Sequence, residues 1–113
     1  MNCGLSINTK FQIKEILSTV DEVESADIFG SRSLGNYKNG SDIDLVLYGA
    51  KLTEEIRLRI STQLNEELPL PYYFDIVVYS LIQNQALKDH IDQYGVEIYT
   101  SSLNVNGKKT RQR

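Results

Sequence analysis

The sequence predicts a small α/β (α+β) domain, a mixed sheet of three to four strands flanked by helices. Three observations predict it. Short strand-like runs at residues 26–29, 42–48, 72–79 and 96–99 alternate with stretches whose apolar residues recur at helical spacing. Turn residues separate them, with Gly30, Gly49 and Gly95 at the joins. At 113 residues the chain can build one core but not two, so residues 1–100 are expected to form a single domain.

The elements follow in order. Residues 1–7 read as a frayed start, and Asn8 as the cap of a first helix burying Ile13, Ile16, Leu17 and Val20. A polar stretch at 22–25 leads into the first strand. Residues 31–34 suggest a short helix and 35–40 a loop. Residues 42–48 then read as a central strand ended by Gly49. Thr53 is placed to cap a longer helix, with Glu54 and Glu55 in its first turn and Ile56, Ile60 and Leu64 as its stripe. Pro69 and Pro71 end it. The run YYFDIVVY at 72–79 is dense in β-branched and aromatic residues, as a strand is. Ser80-Leu81-Ile82-Gln83 has the form of a capping box. It would open a helix with Leu87, Ile91 and Tyr94 inward, stopped by Gly95 before a last strand. The basic tail at 101–113 is expected to be disordered.

Composition narrows the function. A net charge of −3 and a pI near 5.1 argue against broad nucleic-acid binding through a basic surface. No long apolar run or charged-then-apolar leader is visible, so neither a membrane span nor a signal peptide is expected. Cys3 is the only cysteine, which excludes an intrachain disulfide and suits a cytoplasmic protein. Asn39-Gly40-Ser41 matches a glycosylation sequon but reads as a turn in that setting.

The chemistry centres on residues 30–45, GSRSLGNYKNGSDIDL. Asp42 and Asp44 alternate along a strand and share a face, about 7 Å apart at ~3.3 Å per residue. Two like charges on a buried strand call for a cation, and a divalent metal suits hard oxygen ligands. Gly30 lets the backbone approach a ligand. A helix starting near Ser31 would turn free N–H groups toward an anion, with the Ser31 hydroxyl as a further donor. A phosphate turn followed eleven residues later by paired carboxylates describes a nucleoside triphosphate site with Mg2+. Asp75 adds a third carboxylate in the middle of an apolar strand, costly there unless paired or metal-bound.

The Gly-Ser…Asp-x-Asp pattern resembles the signature of the DNA polymerase β-like nucleotidyltransferases. The short length resembles the minimal nucleotidyltransferases (MNT) encoded beside HEPN-domain proteins. The resemblance implies the polymerase β-like fold, with Asp75 as the acidic residue on the next strand that completes a triad. Asp42 and Asp44 would hold the Mg2+ that also grips ATP. Asp75 would join them at a second metal, or take the proton of the attacking hydroxyl. Gly30, Ser31, Arg32 and Ser41 are the nucleotide-binding candidates, although Ser41 also reads as a turn or capping hydroxyl. Without metal, the three carboxylates are expected to raise one another's pKa. One departure stands out: many minimal members carry an Arg two residues after Arg32, where this chain has Leu34.

The resemblance further implies a separate acceptor chain, a small helical HEPN toxin. The protein would then be its antitoxin, transferring AMP from ATP to a tyrosine hydroxyl. Two alternatives stay open: an antitoxin that only binds, its site vestigial, and a transferase subunit for a small molecule held by a helical partner. A homodimer or hetero-oligomer also stays open. Among other residues, Lys38, Arg57 and Arg59 read as solvated charges, and Tyr37 as a loop residue able to stack on a base. His90 reads as a surface or capping residue. Tyrosines 72, 73, 79, 94 and 99 read as core or interface aromatics.

Overall fold

The computed structural model of the protein describes residues 4–30, 42–68 and 70–101. Along them run helix α1 (Ile7–Ser18) and strands β1 (Ser25–Phe29) and β2 (Ile43–Tyr48). Helix α2 (Glu54–Thr62) continues into a π-helical turn at Gln63–Glu67, followed by strand β3 (Phe74–Val78). A 3-10 turn at Tyr79–Leu81, helix α3 (Gln85–Tyr94) and strand β4 (Val96–Thr100) complete the order. The helix expected at 31–34, the loop at 35–40, Pro69 and the tail beyond Ser101 lie outside the described residues.

The sheet has the order β3-β2-β1-β4, and it is mixed, as expected. Strand β1 runs antiparallel to β2 and β4, while β2 runs parallel to β3. A parallel pair needs a long crossover to bring the chain back to the same end, and α2 lies within it. Alternation along the strands then assigns the two faces. Ala26, Ile28, Ile43, Leu45, Leu47, Phe74, Ile76 and Val78 meet Ile13 and Leu17 of α1, Ile60 of α2 and Leu64 in the main core. The opposite face carries a smaller cluster, in which Phe29, Val46, Tyr48 and Tyr79 pack on Ile91 of α3. Asp27 is fully buried on that face and accepts a hydrogen bond from the Tyr48 hydroxyl at 3.2 Å. Among the described residues this smaller cover does not enclose Asp75, which is exposed, or fully bury Asp44.

Several boundaries differ from expectation because side-chain hydrogen bonds override pattern. Ser6, not Asn8, caps α1: its hydroxyl accepts from the Thr9 amide at 3.0 Å and Leu5 is buried behind it. Thr53 caps α2 as expected, accepting from Ile56 N at 3.2 Å. The capping box at Ser80 does not form. Ser80 sits in the 3-10 turn, and Asn84 caps α3 by accepting from Leu87 N at 3.1 Å. Of the expected stripe, Ile91 is buried and Leu87 packs beside it, while Tyr94, the last residue of the helix, is 41 % exposed. Gly95 ends α3 without a left-handed conformation, its φ being −62°. It is needed for space instead, since a Cβ there would stand 2.8 Å from both Asp27 Oδ2 and Ile91 O. Ser101, placed above in the tail, is buried, and its amide donates to Glu24 O at 2.8 Å.

Candidate active site

The parallel register sets Asp44 of β2 directly opposite Asp75 of β3. Both side chains therefore leave the same face, on strands about 4.8 Å apart. Asp42 precedes β2 by one residue, and its charge is felt at Asp44. Asp42 and Asp75 are exposed, whereas Asp44 is half-buried on an interior strand. That difference orders the electrostatics. Burial pushes the Asp44 carboxyl above the usual carboxylate range, and Asp75 and Asp42 push it further. Repulsion was the expected cause, but desolvation leads, because Asp44 lies between β1 and β3 with Phe29 opposite it.

Strand β1 ends at Phe29, so the next residue, Gly30, falls against the Asp44 carboxylate. Gly30 has φ +76°. A Cβ there would overlap Asp44 Oδ2 and stand 3.3 Å from Asp44 Cγ. Only glycine meets both demands, the left-handed backbone and the close approach. Gly30→Ala is expected to lower stability by about 1–3 kcal/mol, from the conformation and the overlap together. It should also displace the Asp44 side chain, to which all the nearest atoms belong. Thermal unfolding with metal-binding calorimetry would read both effects. Ser31, Arg32 and Ser41 lie outside the described residues.

The donor set fits a divalent cation in kind: Asp44 and Asp75 lie opposite each other and Asp42 is two residues from Asp44, whose carboxyl is raised by burial and by both like charges. Among the described residues, no three His, Cys, Asp or Glu side chains already stand as a metal-ligand set. Asp44 and Asp75 share a face and Asp42 acts on Asp44 through its charge, while Asp42 and Asp75 are exposed to solvent. No described helix is long and apolar enough to cross a membrane.

Comparison with known proteins matches residues 11–104 to the family model described as Polymerase beta, Nucleotidyltransferase. The chain belongs to the polymerase β nucleotidyltransferase family. The fold has solved counterparts. A chain in the crystal structure of a toxin–antitoxin with AMP-PNP superposes with a TM-score of 0.66 at 20% identity, covering 88% of this chain and 77% of that one. A chain in the crystal structure of the toxin–antitoxin MntA–HepT gives 0.65 at 16% identity, covering 89% and 78%. There is no significant match among curated proteins.

In this nucleotidyltransferase the surroundings of the carboxylates include residues that the sequence read as surface groups, Arg57 and His90, and one it did not single out, Asn65. Strand β3 is an edge strand, and its outward backbone groups on either side of Asp75 are tied to α2 and the turn after it. Asn65 accepts from Phe74 N at 2.7 Å and donates to Phe74 O at 3.0 Å, much as a neighbouring strand would. Arg57 donates to Ile76 O at 3.2 Å and pairs with Glu54. Arg57 is thus more than a solvated helix charge: it clamps the strand that carries Asp75. His90 also departs from its surface reading. It is half-buried, and its Nε2 accepts from Gly30 N at 3.2 Å. Sixty positions separate the two residues, so no local spacing could reveal the contact. Tyr79 packs in the smaller core as expected, while Tyr73 is 59 % exposed near the β3 end.

Proposed function

We propose that this nucleotidyltransferase is a minimal antitoxin that moves AMP from ATP onto a tyrosine hydroxyl of a helical HEPN-domain toxin encoded nearby, with Mg2+. The observation that carries the reading is the cross-strand pairing of Asp44 with Asp75, beside Gly30 and with Asp42 two residues upstream. The similarity to chains of toxin–antitoxin crystal structures, one of them with AMP-PNP, supports the partner class and the adenine nucleotide.

In the transfer, the acceptor oxygen attacks the α-phosphorus of ATP. A new P–O bond forms, the bond to the bridging oxygen breaks, and pyrophosphate leaves. Asp75 is exposed, so it can receive the acceptor's proton. Asp42 and Asp44 would hold Mg2+, with Asp75 sharing a second ion if two are used. The metal would neutralise phosphate charge in the ground and transition states. Gly30 admits the triphosphate close to the backbone, and Ser31, Arg32 and Ser41 are proposed as further phosphate contacts. Positioning and charge neutralisation are most of what phosphoryl chemistry asks of a protein, so a domain this small suffices.

The test is incubation with ATP labelled at its α-phosphate, Mg2+ and the neighbouring helical protein. Label is expected on the neighbour, lost on chelation. A tight complex without label would leave the binding-only antitoxin instead. Label on a small molecule would point to the helical protein as its holder.

A further inference from the structure

We infer that His90 is a positioning residue for the nucleotide, holding Gly30 in place against Asp44. The inference rests on the nucleotidyltransferase reading of the site. Four contacts support it. The imidazole Nε2 accepts the Gly30 N–H at 3.2 Å. The ring is itself held from two sides. Phe29 meets it edge-on with centroids 6.3 Å apart at 73°, and Tyr94 lies 5.2 Å away at 48°. Gly30, in turn, leaves no room for even a methyl group before Asp44 Oδ2.

The contacts form a chain from helix α3 to the metal-binding end of the sheet: Tyr94 and Phe29 to His90, His90 to Gly30, Gly30 to Asp44. A glycine with φ +76° at a strand end has many alternatives open to it, and nothing in its own side chain selects one. The hydrogen bond to a packed imidazole selects one. It also commits the Gly30 N–H to His90. That N–H therefore does not serve the phosphates, and its task is to set where the turn enters the site. His90 touches no reacting atom in this role.

Two variants separate the hydrogen bond from the packing. His90→Phe keeps a ring between Phe29 and Tyr94 but offers no acceptor. His90→Gln loses the ring but places an amide oxygen near the former Nε2. We expect His90→Phe to weaken binding of a non-hydrolysable ATP analogue with Mg2+ by up to about tenfold, the worth of one well-placed hydrogen bond. The KM for ATP should rise correspondingly, with kcat for the bound complex much less affected. His90→Gln should recover most of the affinity. A purely packing role predicts the reverse order, with Gln the worse variant, and that order would overturn the inference. Equal losses in both would do so as well.

The anchor is also readable without any activity. In the wild-type protein labelled with 15N, a scalar coupling across the hydrogen bond should join the Gly30 amide nitrogen to His90 Nε2. Gly30 amide exchange should be faster in His90→Phe and near normal in His90→Gln. If the wild type binds no nucleotide, the transferase reading fails, and the coupling and exchange still decide whether His90 holds Gly30. Absence of the coupling with unchanged exchange in both variants would refute the anchor even in an active enzyme.

Discussion

Asp75→Asn is expected to lower transfer about 10²–10⁴-fold, the usual worth of a positioned general base. Asparagine keeps the size and hydrogen-bonding capacity of the side chain while removing its charge and its basicity. The strand should not move, because Asn65 and Arg57 hold the backbone of Phe74 and Ile76, not the side chain between them. Mg-ATP affinity should fall much less than the rate, with Asp42 and Asp44 still in place. Calorimetric titration of Mg-ATP beside the transfer rate makes the comparison. If affinity falls as far as it does in Asp44→Asn, Asp75 is a further ligand of the nucleotide's metal and not the base. Binding of the helical partner should survive, since the variant does not alter shape.

Asp44→Asn is expected to abolish most transfer and to raise the stability of the metal-free protein. The two effects have one cause. Asp44 is half-buried beside two like charges, and its carboxyl is raised above the usual range by desolvation, by Asp75 and by Asp42. A raised carboxyl binds its proton more tightly folded than unfolded, so it destabilises the fold as pH rises from the ordinary Asp range through its folded pKa. Above that window the penalty is constant. The neutral amide removes it, so the variant's advantage in Tm should be absent in acid, appear across the window and then level off. Saturating Mg2+ should reverse the order at neutral pH, by stabilising the wild type and not the variant. Metal binding to the wild type should weaken with acid across the same window, as protons compete for Asp44. A variant no more stable than the wild type at neutral pH without metal would contradict the electrostatic account.

Some of this was legible in the chain. The strand at Ile43–Tyr48 shows in its unbroken apolar run, because an interior strand is buried on both faces and needs no polar alternation. Asp44 and Asp75 stand out because each interrupts such a run, where a carboxylate has to have a reason. The cap of α2 was readable since Thr53 is followed directly by acids and then by the apolar stripe. The caps of α1 and α3 were not. Ser6 and Asn8 both precede a helical pattern, as do Ser80 and Asn84, and local chemistry ranks them nearly alike. What chose between them was burial of Leu5 behind Ser6, and of Tyr79 in the smaller core ahead of Asn84.

The sequence by itself determined the family, the mixed sheet and the residue types of the site. Those depend on short-range spacing: Gly30 next to Ser31, Asp42 alternating with Asp44, Asp75 within a strand. Tertiary structure alone decided who meets whom. The register that sets Asp44 opposite Asp75 comes from how β2 and β3 pair, and a shift of one residue would have sent Asp75 to the other face. The joining of His90 to Gly30, and of Asn65 to Phe74, depends on where α3 and the turn after α2 pack on the sheet. Packing is a sum over many weak apolar contacts distributed along the whole chain, so no single stretch of sequence carries it.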